Sequence, residues 1–164
     1  SGIIPGKRKT LIYDYGNQLV GSADYKLRLI ADDGHEADLT QLIDQVNQKD
    51  VERLVSTFSR ERYFEDNSGN IRKTKQKIEK YFRQNDLITE RQSFSYQAYE
   101  AHNVLGILPG TDPEAVTLVI GAHSDTARGT RGADDNASGI AGMLAIMKIL
   151  SSHQFKHNIC FVFI

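Results

Sequence analysis

Three side chains in the second half of the chain, His123, Asp125 and Asp134, have the types and order of a metal site. An imidazole and carboxylates are donors that zinc accepts. His123 and Asp125 follow an apolar run, Val116 to Ala122, while Asp134 and Asp135 follow a glycine-containing loop and open a second apolar stretch. Side chains alternate along a strand, so His123 and Asp125 are expected on one side and Ser124 on the other. That alternation excludes His123-Ser124-Asp125 as a hydrolytic triad. It favours Asp125 as the acceptor that fixes the tautomer of a metal-bound His123. Asp134 comes eleven residues after His123, and a loop of that length can fold back over the strand end. Its two oxygens could bridge two metals roughly 3.5–4 Å apart. The competing account is that Asp134, Asp135 or Asn136 caps the following helix. A lone acid is more often a cap and a lone histidine more often structural. The ordered combination of His-x-Asp, loop and Gly-Ala-Asp-Asp-Asn-Ala-Ser-Gly tips the reading towards metal.

The elements that must carry these residues are legible on either side of them. Val116 to Ala122 is apolar at nearly every position, as in a strand covered on both faces. Asn136 to Ser152 reads as a helix apolar almost all round, with Gly139, Ala141, Gly142 and Ala145 permitting close backbone approach. His157 to Ile164 reads as the next buried strand. Strand, loop, helix and strand in this order predict a right-handed crossover in a largely parallel sheet, and an α/β fold with helices on both faces. A site beyond the carboxyl end of a strand is where ligands gather in such sheets.

Upstream, Gln92 to Ala98 and Asn103 to Leu108 read as strands, with Pro109-Gly110 as a turn. Three helices are expected before them. Asp38 caps the first, with Leu39, Leu42, Ile43 and Val46 on one face, and Asp50 starts the second, with Val51, Leu54, Val55 and Phe58. The third, after a polar break at Glu65 to Asn70, carries Ile71, Ile78 and Phe82 on one stripe. Its basic residues Arg72, Lys73, Lys75, Lys77, Lys80 and Arg83 read as a solvated outer face. Residues 1–48 are read as an N-terminal β/helical extension, with strands at Leu11 to Tyr15 and Tyr25 to Ala31, a turn at Asp32-Asp33-Gly34, and no functional assignment. His35-Glu36 fails as a zinc-protease helix because Leu39 stands where a second histidine is needed.

With 164 residues, 20 Lys and Arg against 21 Asp and Glu, and one cysteine, the chain offers no global field and no internal disulfide. No apolar run approaches the roughly 18 residues of a spanning helix. Neither a nucleic acid nor a membrane is expected as a partner. Ser1 is not a start residue, and the apolar run Ile159 to Ile164 stops without a turn, so a fragment cut at both ends is expected.

The segments GAHSD (Gly121 to Asp125) and GADDNASG (Gly132 to Gly139), with NVLGILPG before them, closely resemble those of the co-catalytic di-zinc aminopeptidases, metallopeptidase family twenty-eight, over about Asp50 to Ile164. The resemblance implies a three-layer α/β/α sandwich with a mixed, largely parallel central sheet, incomplete at the C-terminus, of which residues 49–164 are the first part. It implies two zinc ions, with His123 a terminal ligand, Asp134 the bridging aspartate and Asp125 the catalytic acid that supports the histidine. Arg131 departs from the family, which often has proline there. The family's adjacent glutamates, one the general base and one a zinc ligand, and a later aspartate and histidine would all follow Ile164.

The implied activity is hydrolysis of N-terminal peptide bonds by a metal-held water, with peptide or protein N-termini as substrates. The 164-residue chain alone is expected to have no appreciable peptidase activity. Members of the family are commonly secreted. The related glutaminyl cyclases share the fold but bind one zinc, and some relatives are receptor ectodomains without ligands. The doubled acid and Asn-Ala-Ser-Gly favour a peptidase over the first, and retention of His123, Asp125 and Asp134 favours it over the second.

Overall fold

In the computed structural model, residues 39–65, 68–96, 99–112 and 114–164 are described. The strands expected at Leu11 to Tyr15 and Tyr25 to Ala31, and the Asp32-Asp33-Gly34 turn, lie outside them. The elements are α1 (Leu39–Asp44), α2 (Gln48–Phe58), α3 (Ser68–Gln84), β1 (Ile88–Tyr96), β2 (Tyr99–Leu108), β3 (Leu118–Ala122), α4 (Gly139–Leu150) and β4 (Ile159–Phe163). The cap of α2 is Asn47, not Asp50: the Asn47 side chain accepts the Asp50 N–H at 3.2 Å. Asp50 stands in the first turn instead, where it pairs with Arg53 and Lys148.

The four strands form one sheet in the order β1-β2-β4-β3. β1 and β2 form an antiparallel pair, β2 and β4 another, and only β3 and β4 run parallel, joined by the α4 crossover. The mixed sheet that was expected is seen among the described residues, but it is not largely parallel: only one of its three pairings is. The reason is the β1–β2 hairpin, which feeds antiparallel into the crossover unit.

One face of the sheet is deeply buried. Val104, Phe161 and Phe163 are fully enclosed there, and the Phe82 ring of α3 packs against both phenylalanines. Gly106 lets that ring approach, since a Cβ there would stand 2.6 Å from two of its carbons. Leu54 and Phe58 of α2 and Ile140, Leu144 and Met147 of α4 join the same core. The other face carries Ile88, Leu105, Ile107, Val119, Cys160 and Val162 in register across the four strands. Among the described residues no helix packs on it: Ile88 is 51% exposed and Val119 62%. Two layers are thus seen where helices on both faces were expected. Among the described residues β3 lies at the edge of the sheet, and four of its five residues are less than fully buried, so there its apolar run does not mark a strand covered on both sides.

Lys75 corrects the reading of the basic face of α3. It falls four residues after Ile71 and three before Ile78, so it shares their stripe and is buried. Its ammonium donates to the His102 carbonyl. Glu79, also buried, accepts from Arg91 at 2.6 and 3.0 Å and from Arg83 at 3.1 Å. No helix of the described residues is long and apolar enough to cross a membrane.

Candidate metal centre

The site is built at the carboxyl end of β3. After Ala122 the chain leaves the sheet and alternation holds for three more residues. Ser124 turns inward and is fully buried, its hydroxyl donating to the Ile164 carbonyl at 2.7 Å. The Ser124 N–H donates to the same carbonyl at 2.7 Å, extending the β3–β4 ladder past the sheet. His123 and Asp125 turn the other way and meet, His123 Nδ1 lying 2.9 Å from Asp125 Oδ1. An acceptor at Nδ1 favours the proton there, which makes Nε2 the atom available to a metal.

The second half comes from the loop that follows. Gly132 takes the left-handed conformation, φ 55°, and starts a widened turn, Ala133–Ser138, that runs into α4. Inside this turn Asp135 (φ −112°, ψ 91°) and Asn136 (φ −136°, ψ 44°) leave helical geometry, and the peptide between them is cis. The break decides which acid faces the histidine. Asp135 Oδ1 lies 2.9 Å from His123 Nε2. Among the described residues no hydrogen bond or ion pair joins the Asp134 carboxylate to His123; the Asp134 carbonyl accepts from the Ser138 hydroxyl at 2.6 Å. The structure therefore brings His123, Asp125 and Asp135 together, and leaves Asp134 aside. Asn136 performs the capping that the sequence left open among three residues. Its Oδ1 accepts the Gly139 N–H at 2.9 Å, and its Nδ2 donates to the His123 carbonyl at 3.4 Å.

The facing pair suits a metal. Two donors of a tetrahedral zinc, each about 2.0–2.1 Å from it, stand about 3.3 Å apart. The Nε2–Oδ1 separation of 2.9 Å is a few tenths of an ångström short of that. Both side chains are open to solvent, His123 at 45% and Asp135 at 73%. A zinc site takes three or four protein donors. Among the described residues no group of three or more His, Cys, Asp or Glu side chains converges to hold a cation. The donors here are two, on a common rim.

Asp135, which the sequence offers only as a helix cap, is Asp134's neighbour, and the backbone break separates their roles. Arg62 carried no signal, being one arginine in an irregular Arg-Glu-Arg-Tyr stretch. It is fully buried beneath the site. Burial lowers its pKa from the usual value, while the charges of Asp125 and Asp135 raise it. Burial likewise lowers the Lys75 ammonium, opposed by Asp125. His102 is half-buried. Burial lowers its pKa, with Lys75 and Arg91 adding to the effect, and among the described residues its Nε2 has no hydrogen-bond partner.

Both motifs lie in one matched segment: residues 103–164 match the sequence model of Peptidase family M28. It is the family that the two motifs resemble. Among curated proteins it is 25% identical over 150 residues to a vacuolar membrane protease of Kluyveromyces lactis, covering 90% of this chain and 16% of that protein. Two solved structures share the fold. The glutaminyl cyclase of Macrostomum lignano aligns with a TM-score of 0.68 at 18% identity, over 84% of this chain and 44% of that one. The LapA aminopeptidase of Legionella pneumophila aligns at 0.66 and 20% identity, over 84% and 40%. The chain therefore spans less than half of each of these proteins.

Proposed function

We propose that the chain supplies the first metal-facing residues of a zinc-dependent exopeptidase, with residues 49–164 forming the first part of its catalytic domain. The observation that carries this reading is His123 held between Asp125 and Asp135, at 2.9 Å on each ring nitrogen. His123 Nε2 and Asp135 Oδ1 would hold zinc, and the remaining donors would come from outside the described residues. When bound, zinc acidifies a water towards neutral pKa and polarises a carbonyl. Asp125 would hold the His123 proton on Nδ1, leaving Nε2 to bind zinc. Asn136 ties the two halves by joining the His123 carbonyl to the start of α4. Asp134, one residue from the facing acid, is assigned no metal contact in this reading. The match to a peptidase family, and the likeness to the vacuolar membrane protease of Kluyveromyces lactis, favour peptide hydrolysis over amine transfer.

The test is hydrolysis of aminoacyl chromogenic substrates by the complete protein. Cleavage should require a free α-amine, cease on chelation and return with zinc. Equal cleavage of N-acetylated substrates would sink the exopeptidase assignment. Cyclisation of glutaminyl peptides without release of an amino acid would replace it by a cyclase.

A further inference from the structure

The bulkiest fully buried side chain among the described residues is a charged one, Arg62. A buried guanidinium needs its donors satisfied, and it has five in a rigid fork. Here the fork is spread over carbonyls from three segments. Nε donates to the Ser124 carbonyl at 2.8 Å and Nη2 to the Gly132 carbonyl at 3.3 Å. Nη1 donates to the Arg60 carbonyl at 2.7 Å and to the Phe58 carbonyl. The Arg62 backbone N–H adds a bond to Thr126 Oγ1 at 2.9 Å.

The identity of the carbonyls gives this clamp its meaning. Ser124 lies between His123 and Asp125. Gly132 opens the turn that presents Asp135, and its carbonyl also accepts the Ala137 N–H at 3.0 Å. Arg62 is packed against that turn so closely that a Cβ on Gly132 would stand 3.1 Å from Nη2 and 2.2 Å from the Thr126 methyl. The His123 contacts on the rim are solvent-exposed, and exposed polar pairs contribute little to holding a geometry. The buried fork behind them is the stronger constraint, because breaking it leaves buried guanidinium donors without acceptors.

We propose that Arg62 is the positioning residue of the centre: by joining the His123–Asp125 segment to the turn carrying Asp135, it sets the separation of the facing pair and hence the affinity for metal. The proposal rests on reading that pair as metal ligands. Arg62→Lys keeps the charge but gives up the planar fork, in which separate nitrogens, Nε and Nη2, meet the Ser124 and Gly132 carbonyls.

The experiment is zinc affinity of the complete protein by competition with a chromophoric chelator, for wild type, Arg62→Lys and the remote core variant Phe82→Leu, with urea unfolding of each. Wild type should bind zinc, and Arg62→Lys should weaken binding about 10–100-fold, the range for residues that orient metal ligands. Phe82→Leu should lose stability with unchanged zinc affinity. In metal-free Arg62→Lys the Ala137 amide should also exchange faster relative to global unfolding. If Arg62→Lys does not fold, Thr126→Val, which removes only the hydroxyl that accepts the Arg62 backbone N–H, decides by the same chelator assay and should weaken zinc several-fold. Unchanged zinc affinity in the folded variant overturns the positioning role and leaves the metal reading intact. Absence of zinc binding by wild type overturns both.

Discussion

Replacing Gly106 by alanine probes the packing that holds the sheet under α3. The added Cβ would stand 2.6 Å from two carbons of the Phe82 ring and 2.7 Å from a third. Ordinary carbon contacts are about 3.5–4.0 Å, so the ring must withdraw by about 1 Å. It has little room: it is fully buried, with its centroid 6.5 Å from that of Phe161 and 5.8 Å from that of Phe163. Overpacking of this kind costs about 1–3 kcal/mol, partly offset by roughly 0.5–1 kcal/mol from removing a strand glycine. The expected net loss of about 1–2 kcal/mol lowers the melting temperature by about 3–6 °C for a domain of this size. The assay is thermal unfolding of the complete protein in a double-mutant cycle with Phe82→Leu. In the leucine background the alanine should cost almost nothing, a coupling on the order of 1 kcal/mol or more. Additive losses would show that the ring is not what Gly106 accommodates, and would refute the argument.

Glu79 and Cys160 give two further expectations. The hydrogen bonds from Arg91, opposed by burial and aided by Arg83, hold the Glu79 carboxyl below its usual range. A carboxyl depressed in the folded state stabilises above its unfolded pKa, and that contribution is lost as pH falls through the folded value. Glu79→Gln should therefore destabilise at pH 7, by on the order of 1 kcal/mol for the lost charge-assisted bonds, and its deficit should shrink in acid. A deficit independent of pH, measured by urea unfolding, would contradict the assignment. Burial, with Glu90 adding, raises the Cys160 thiol above its usual value. Native protein at pH 7 should react with a disulfide reagent far more slowly than unfolded protein; equal rates would count against a buried thiol.

Much of the fold was legible in the sequence, and its failures have particular causes. The periodicities around Leu54, Phe58, Ile78 and Phe82 marked core faces, and all four are buried. The stripe that placed Ile71 and Ile78 together also placed Lys75 there. Counting its charge rather than its position sent it wrongly to the surface. The apolar run of β3 showed a strand but not that it lies at the sheet edge, because sheet order depends on pairings distant in sequence. Likewise GAHSD and GADDNASG located the two halves of the site, whereas the choice between adjacent acids depends on a backbone break at Asp135 and Asn136 that no spacing encodes. Arg62 acts through carbonyls, which every residue has, so no side-chain pattern announces it.

In the proposed site His123 and Asp135 together would hold the metal. Zinc stoichiometry of the complete protein, measured after dialysis for Asp135→Ala and Asp134→Ala side by side, tests it most directly. The geometry predicts that Asp135→Ala loses bound zinc while Asp134→Ala retains the wild-type amount. Full zinc in Asp135→Ala, with loss confined to Asp134→Ala, would contradict it.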